Sequence, residues 1–359
     1  AGSFGMAVST AMIFGLVSLM FLDTSINMAM QPFKMMVGDM VNEKQKGLAY
    51  SIQSFLCNAG SLVGFLFPFI FTWIGISNIA PQGVVPDSVI YSFYIGAAIL
   101  ILCVIYTTVK VKEMPPAEYA EYHGITEEEK KEKINMVKLL VKAPKAFWTV
   151  GLVQFFCWFA FMFMWTYTNG SVAANVFDAP TVETVVNGAS KIVLDTKSIQ
   201  YQNAADWVGV LFAVQAIGSV LWAVCIPMFK NRKLIYSLSL VLGGIGFIST
   251  YFVHNQYVLF ISFLLIGCAW AAMLALPFTI LTNALSGGHM GTYLGLFNGT
   301  ICIPQIVAAT LGGSILALFT PKGMLPPEIN MLVMAGVMLI IGAVCVYLIK
   351  ETKGEQAKA

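Results

Sequence analysis

Asp23-Thr-Ser-Ile-Asn27-Met-Ala-Met-Gln31-Pro32-Phe33-Lys34 lies inside an apolar run that extends from Met6 to Met36. Asp23 is the only acidic residue in the middle of any hydrophobic segment of the chain, and Lys34 follows eleven positions later. About 20 mostly apolar residues suffice for a helix to cross a bilayer. An ionisable group at that depth costs at least ~2.5–3.5 kcal/mol on insertion scales and by default marks a solute or proton pathway. The stretch therefore points first to a cation-coupled membrane transporter.

The rest of the chain fits that class. It is 58% hydrophobic and 11% charged, with a mean hydropathy of +0.79. A soluble protein of 359 residues exposes far more charge. The net charge is +2, and no basic stretch alternates with aromatics, so no nucleic-acid partner is implied. The seven cysteines stand singly in apolar runs, without paired spacing, and read as small buried hydrophobes. His123, His254 and His289 have no partner at metal-ligand spacing. No phosphate loop, nucleophile elbow or carboxylate pair is present, which argues against an enzyme and against a cofactor or metal.

Nine spans are expected, at about 6–36, 48–74, 88–109, 146–168, 205–229, 234–253, 256–284, 291–319 and 329–349. All should be helices, because open strands leave backbone groups unsatisfied in lipid. With 42–47 in the cytoplasm and the sides alternating, sixteen of the 20 basic residues fall on the cytoplasmic side and three on the other. That bias sets the C-terminus in the cytoplasm and the N-terminus outside. Residue 1 is Ala, no basic leader precedes the first span, and the span count is odd. Together these suggest a chain lacking its first part.

Charge divides the chain. Residues 110–145 hold Pro115-Pro116 and the run Glu127-Glu128-Glu129-Lys130-Lys131-Glu132-Lys133, which suits a short solvated helix. The expected organisation is a remnant of an N-terminal helical half at 1–109, a cytoplasmic connection at 110–145, a six-helix half at 146–353 and a tail at 354–359. Residues 169–204 read as a long outside loop, either a lid or a variable segment.

At about 100° per residue, Asn27, Gln31 and Lys34 lie within about 80° of Asp23, so all four share a face turned to the bundle or a wet cavity. Asp23 and Lys34 are about 16 Å apart along one straight helix, too far for a salt bridge within it. Lys34 either joins the pathway or snorkels to the interface. Asp39, at the span's end, is either a gate contact or a surface charge.

Later spans carry Gln154, Gln215, Asn283, Asn298 and Gln305. Their amides suit a hydroxyl-rich solute but also serve as interhelical glue. Aromatics crowd residues 155–168, and Trp158 stands out among them, one turn from Gln154 on the same face. Gly60-x-x-x-Gly64 reads as a close-packing face, and Pro277 and Pro304 as hinges or breaks near a site.

The run Asp23-x-x-x-Asn27 … Pro32-x-Lys34 … Asp39 resembles the fourth span of plant sucrose transporters and their relatives. These belong to the glycoside–pentoside–hexuronide:cation branch of the major facilitator superfamily. Gly291-x-x-x-Gly295-x-x-Asn298 … Pro304-Gln305 resembles the penultimate span of that group, and Pro277-Phe278 fits the span before it. The resemblance covers most of the chain and numbers its spans four to twelve of twelve. It implies an all-α polytopic membrane protein of the major facilitator fold. It further implies Asp23 as the protonatable coupling residue and Lys34, in place of an arginine, as its cationic partner. Trp165-Thr166-Tyr167-Thr168 stands where plant sucrose transporters have two aspartates, which turns the expectation to a bacterial relative carrying another glycoside.

The resulting expectation is a sugar:proton symporter in a cell membrane, the bacterial inner membrane in this reading. Asn27, Gln31, Gln154, Trp158, Gln215, Asn298 and Gln305 would bind the sugar, Asp23 and Lys34 would handle the proton, and Asp39 would gate. Besides the sugar, the partner is the lipid bilayer. Sodium coupling, a non-transporting sugar sensor and an efflux carrier are the alternatives.

Overall fold

The computed structural model describes residues 2–76, 87–112, 136–186, 189–285, 290–321 and 323–349, with single positions at 115, 118 and 121. Side chains of residues 2–12 and of some helix positions, Gln31, Lys34 and Asp39 among them, lie outside the described residues. So do the expected helix at 127–133 and the turn at 286–289.

Eleven helices are described. They are α1 (Gly2–Met40), α2 (Glu43–Trp73), α3 (Asp87–Lys110), α4 (Met136–Lys142), α5 (Lys145–Asn175), α6 (Ile199–Cys225), α7 (Arg232–Ser249), α8 (Leu259–Ala284), α9 (Met290–Phe297), α10 (Gly299–Phe319) and α11 (Ile329–Cys345). Eight segments are long and apolar enough to cross a membrane, α9 and α10 counting as one. The 31-residue α2, outside these eight, lies where the span at 48–74 was expected.

The 169–204 segment differs from its expectation. It is neither irregular nor all loop. α5 runs on to Asn175 and ends where Asp178 adopts φ 48° and Ala179 N–H returns to Ala173 O at 2.9 Å. Strands β1 (Thr181–Val186) and β2 (Ala189–Leu194) then pair antiparallel, from Thr181↔Leu194 to Val186↔Ala189. Ser198 caps α6 by accepting from Tyr201 N–H at 3.3 Å. At the other end of the bundle, Asn231 Oδ1 accepts from Leu234 N–H at 3.1 Å, and this cap lets the tight 230–233 turn start α7.

Helices α5 to α11 form one tightly packed body. α8 packs on α6 and α7, while α11 lies on α5 and α7, and α10 on α5. In lipid there is little hydrophobic drive between helices, so close approach and hydrogen bonds must hold them. Both are visible. A β-carbon at Gly244 would stand 2.9 Å from Gly336 O across α7 and α11, and one at Gly246 would stand 2.6 Å from Ser262 O across α7 and α8. Ser219 Oγ donates to Gly267 O at 2.7 Å, Ser237 Oγ to Ala343 O at 3.0 Å, and Trp222 Nε1 to Ser239 Oγ at 2.8 Å.

The first three helices are arranged differently. α2 packs along α6 and α8, with Tyr50 stacked on Phe278 and Phe65 against Phe212, each pair at 6.1 Å. α1 and α3 touch little else. Gly60 and Gly64, expected to be a close-packing face, meet no described atom within 4 Å. The α2 seam is made by its aromatic and polar side chains instead.

Candidate functional site

Polar and aromatic groups gather in two places along the helices, one where α1 meets the α9–α10 segment and one where α2 meets α8. On α1 the hydroxyls fold back onto their own helix: Thr24 Oγ1 donates to Met20 O and Ser25 Oγ to Phe21 O, both at 2.7 Å. Asn27 Nδ2 likewise donates to Asp23 O at 2.9 Å. The Asp23 carboxylate is exposed and has no hydrogen bond among the described residues. It stands close enough to Cys302 on α10 for the two groups to interact electrostatically.

Asn298 lies one turn before Cys302, between α9 and α10. Its N–H is shared between Leu294 O and Gly295 O, both at 3.2 Å, so the helix tightens there. Among the described residues its Nδ2 reaches only Cys302 Sγ, at 3.7 Å, and its Oδ1 is buried without a partner. The irregularity thus falls at Asn298, six residues before Pro304, while α8 runs unbroken through Pro277. Neither proline breaks its helix, since each lies inside a continuous one.

The second body contributes a tryptophan wall. Trp158 on α5 meets Trp270 on α8 edge-to-face at 5.7 Å; Trp270 also contacts Phe161 at 4.8 Å and Trp165 at 5.7 Å. Trp165 is exposed, and Trp158 Nε1 is buried with no acceptor among the described residues. An indole N–H left unpaired beside exposed rings is a donor waiting for an oxygen. On α2, Asn58 Nδ2 donates to Ser54 O at 2.7 Å while its Oδ1 has no partner, and Ser54 Oγ reaches Ala271 O at 3.3 Å, next to Trp270.

Gln154 is placed otherwise than the expected sugar contact. It is fully buried inside the second body, donating to Met273 O at 3.4 Å and accepting from Tyr236 Oη at 3.3 Å. Its amide is committed to helix packing. Gln215 is buried, Gln305 half-buried, and neither makes a hydrogen bond among the described residues. The structure thus brings Asp23 to the Asn298–Cys302 turn and sets Trp158 in the wall. Trp270, Ser54 and Asn58 are additions that the sequence reading missed. Local periodicity gave no signal for Trp270, whose partners come from another helix.

Eight long apolar helical segments among the described residues mark a multi-pass membrane protein. The chain belongs to the Major Facilitator Superfamily, whose family model matches residues 1–194 and 172–359. No curated protein sequence matches it. Among solved structures, the chain is similar to the E. coli fucose:proton symporter FucP, with a TM-score of 0.58 and 14% identity over 88% of this chain and 72% of that one. At that identity the likeness is one of fold.

Proposed function

We propose that this transporter carries a sugar, a di- or oligosaccharide or other glycoside, together with a proton. It fits the sucrose-transporter-like branch to which its Asp23 and Asn298 motifs are similar. Two observations support the reading: a Trp158 N–H without a partner among the described residues, set in a tryptophan wall, and an exposed Asp23 carboxylate beside the Asn298–Cys302 turn. Sugar rings present apolar faces to indole planes and hydroxyls to amides and N–H groups. A carboxylate on the solute's path changes charge with one proton and so would make occupancy depend on protonation.

In this reading α1–α3 and α5–α11 move against one another around the site, and the lysine-rich ends face the cytoplasm. Asp23 takes its proton from one side and returns it to the other. Lys34 and Asp39 serve this path from the same helix.

The test is uptake of a disaccharide and glycoside panel into proteoliposomes under an inward proton gradient without sodium, with lumenal pH followed. Sugar-dependent acidification supports the proposal. Uptake that needs sodium instead would reassign the coupling ion, and no uptake in either condition would reject sugar symport.

A further inference from the structure

Residues 320–328 connect α10 to α11, and the last of them carries a carboxyl outside the apolar segment Ile329–Leu348. Glu328 caps α11 with its backbone alone: its C=O accepts from Met331 N–H at 2.9 Å, and its side chain makes no capping bond. The side chain lies instead on Gly170 of α5, so closely that a β-carbon added there would fall on the carboxyl group. Only a glycine allows that approach. The residue is half-buried and makes no ion pair or hydrogen bond with its carboxyl among the described residues. Burial pushes the carboxyl from 4.5 up to about 7.

Among the described residues, little countercharge surrounds it. On α5 the titratable neighbour is Tyr167, one turn before Gly170, which feels the charge of Glu328. Its hydroxyl is wedged on α10, 2.6 Å from where a β-carbon at Gly312 would stand. α10 itself carries no charged residue. The 320–328 connection has one basic residue, Lys322, which lies outside the described residues. Lys191 of β2 lines a groove of about 390 Å³ along the same connection, with Pro321, Met324 and Pro326.

We propose that Glu328 is a proton-binding site of its own, at the end of the bundle away from the lysine-rich turns, and that its ionisation loosens the seam of α11 on α5. As the neutral acid, the carboxyl rests on Gly170 without charge. When the O–H bond breaks and the proton passes to water, the anion left on Gly170 has a tyrosine and bare backbone beside it among the described residues. Swinging out to solvent relieves it and empties the notch. The site is separate from Asp23 and its function does not depend on the sugar.

Infrared pH titration of the full chain in lipid tests this through the carbonyl stretch of a protonated carboxyl. Wild type should lose such a band over about one pH unit either side of 7. The loss should be absent in Glu328→Gln and retained in Asp23→Asn. Gly170→Ala gives a second route: by expelling the carboxyl it should move the titration toward the ordinary carboxylate range. No titrating band in wild type near 7 would overturn the proposal, as would a band that survives Glu328→Gln or Gly170→Ala, or one that vanishes in Asp23→Asn. A lysine salt bridge to Glu328 would give the first of these results. Because the readout needs no substrate, failure of the sugar assay leaves it standing.

Discussion

α1 and α5 each cross the bundle once, yet they are held in very different ways. None of the apolar window of α1 is buried, and 6% of that of α3, against 61% for α5 and 67% for α8. Exposed leucines and phenylalanines cost nothing against lipid tails, so the contrast is not one of hydrophobic burial. It lies in the cross-links. The second body has glycine crossings and side-chain-to-backbone bonds between α6, α7, α8 and α11, whereas the α1 hydroxyls bond only to their own helix. The tryptophan wall is thus built on a closely cross-linked body, and the Asp23 carboxylate on a lightly anchored helix. That division suits alternating access, in which one group of helices shifts around a fixed site.

The largest effect should come from the lightly held side. Asp23→Asn should lower gradient-driven sugar accumulation more than about tenfold, over ~1.4 kcal/mol, while leaving folding intact. Accumulation assays alongside thermal melting check this, and wild-type accumulation would remove Asp23 from the mechanism. Next comes overpacking of the rigid side. Gly267 lies against the backbone of α6, so Gly267→Leu should cost about 1–3 kcal/mol or more, whereas Gly64→Leu should stay within about 0.5 kcal/mol. Equal melting shifts for the two would erase the contrast.

Tyr236→Phe should cost about 1–3 kcal/mol by leaving the buried Gln154 oxygen unpaired, with sugar affinity unchanged. A loss of affinity without a loss of stability would return Gln154 to the site. Trp158→Phe keeps a ring but removes the N–H, so sugar binding should weaken by about 0.5–1.5 kcal/mol, read by titration of the purified protein. The smallest effect is on pH. With its acid strength lowered from 4.5 to about 7 by burial, Glu328 stabilises the folded seam fully below about 4.5, and that contribution fades as pH rises through 7. Melting curves at increasing pH should show a decline that Glu328→Gln lacks.

Span positions were legible because twenty-residue apolar runs report the lipid directly. Other features depend on partners distant in sequence. Gln154 and Trp158 share a helical face, but periodicity cannot tell the bundle interior from its cavity; Tyr236 claims one and Trp270 meets the other. Gly60-x-x-x-Gly64 has the spacing of a packing motif, yet α2 turns other residues to α6 and α8. Glu328 follows Pro326-Pro327 and looks like a loop end. Its burial requires Gly170, far away in the chain. The hairpin did carry a local signal, Asn187-Gly188 between β-favouring residues, which the reading of 169–204 as loop passed over.

The central claim is that a sugar on the tryptophan wall and a proton on Asp23 are bound together. Adding a transported sugar to the purified protein in weakly buffered solution measures this directly. The account predicts proton uptake on sugar binding by wild type and none by Asp23→Asn. Sugar binding with no proton uptake in wild type, or with equal uptake in the variant, would contradict it.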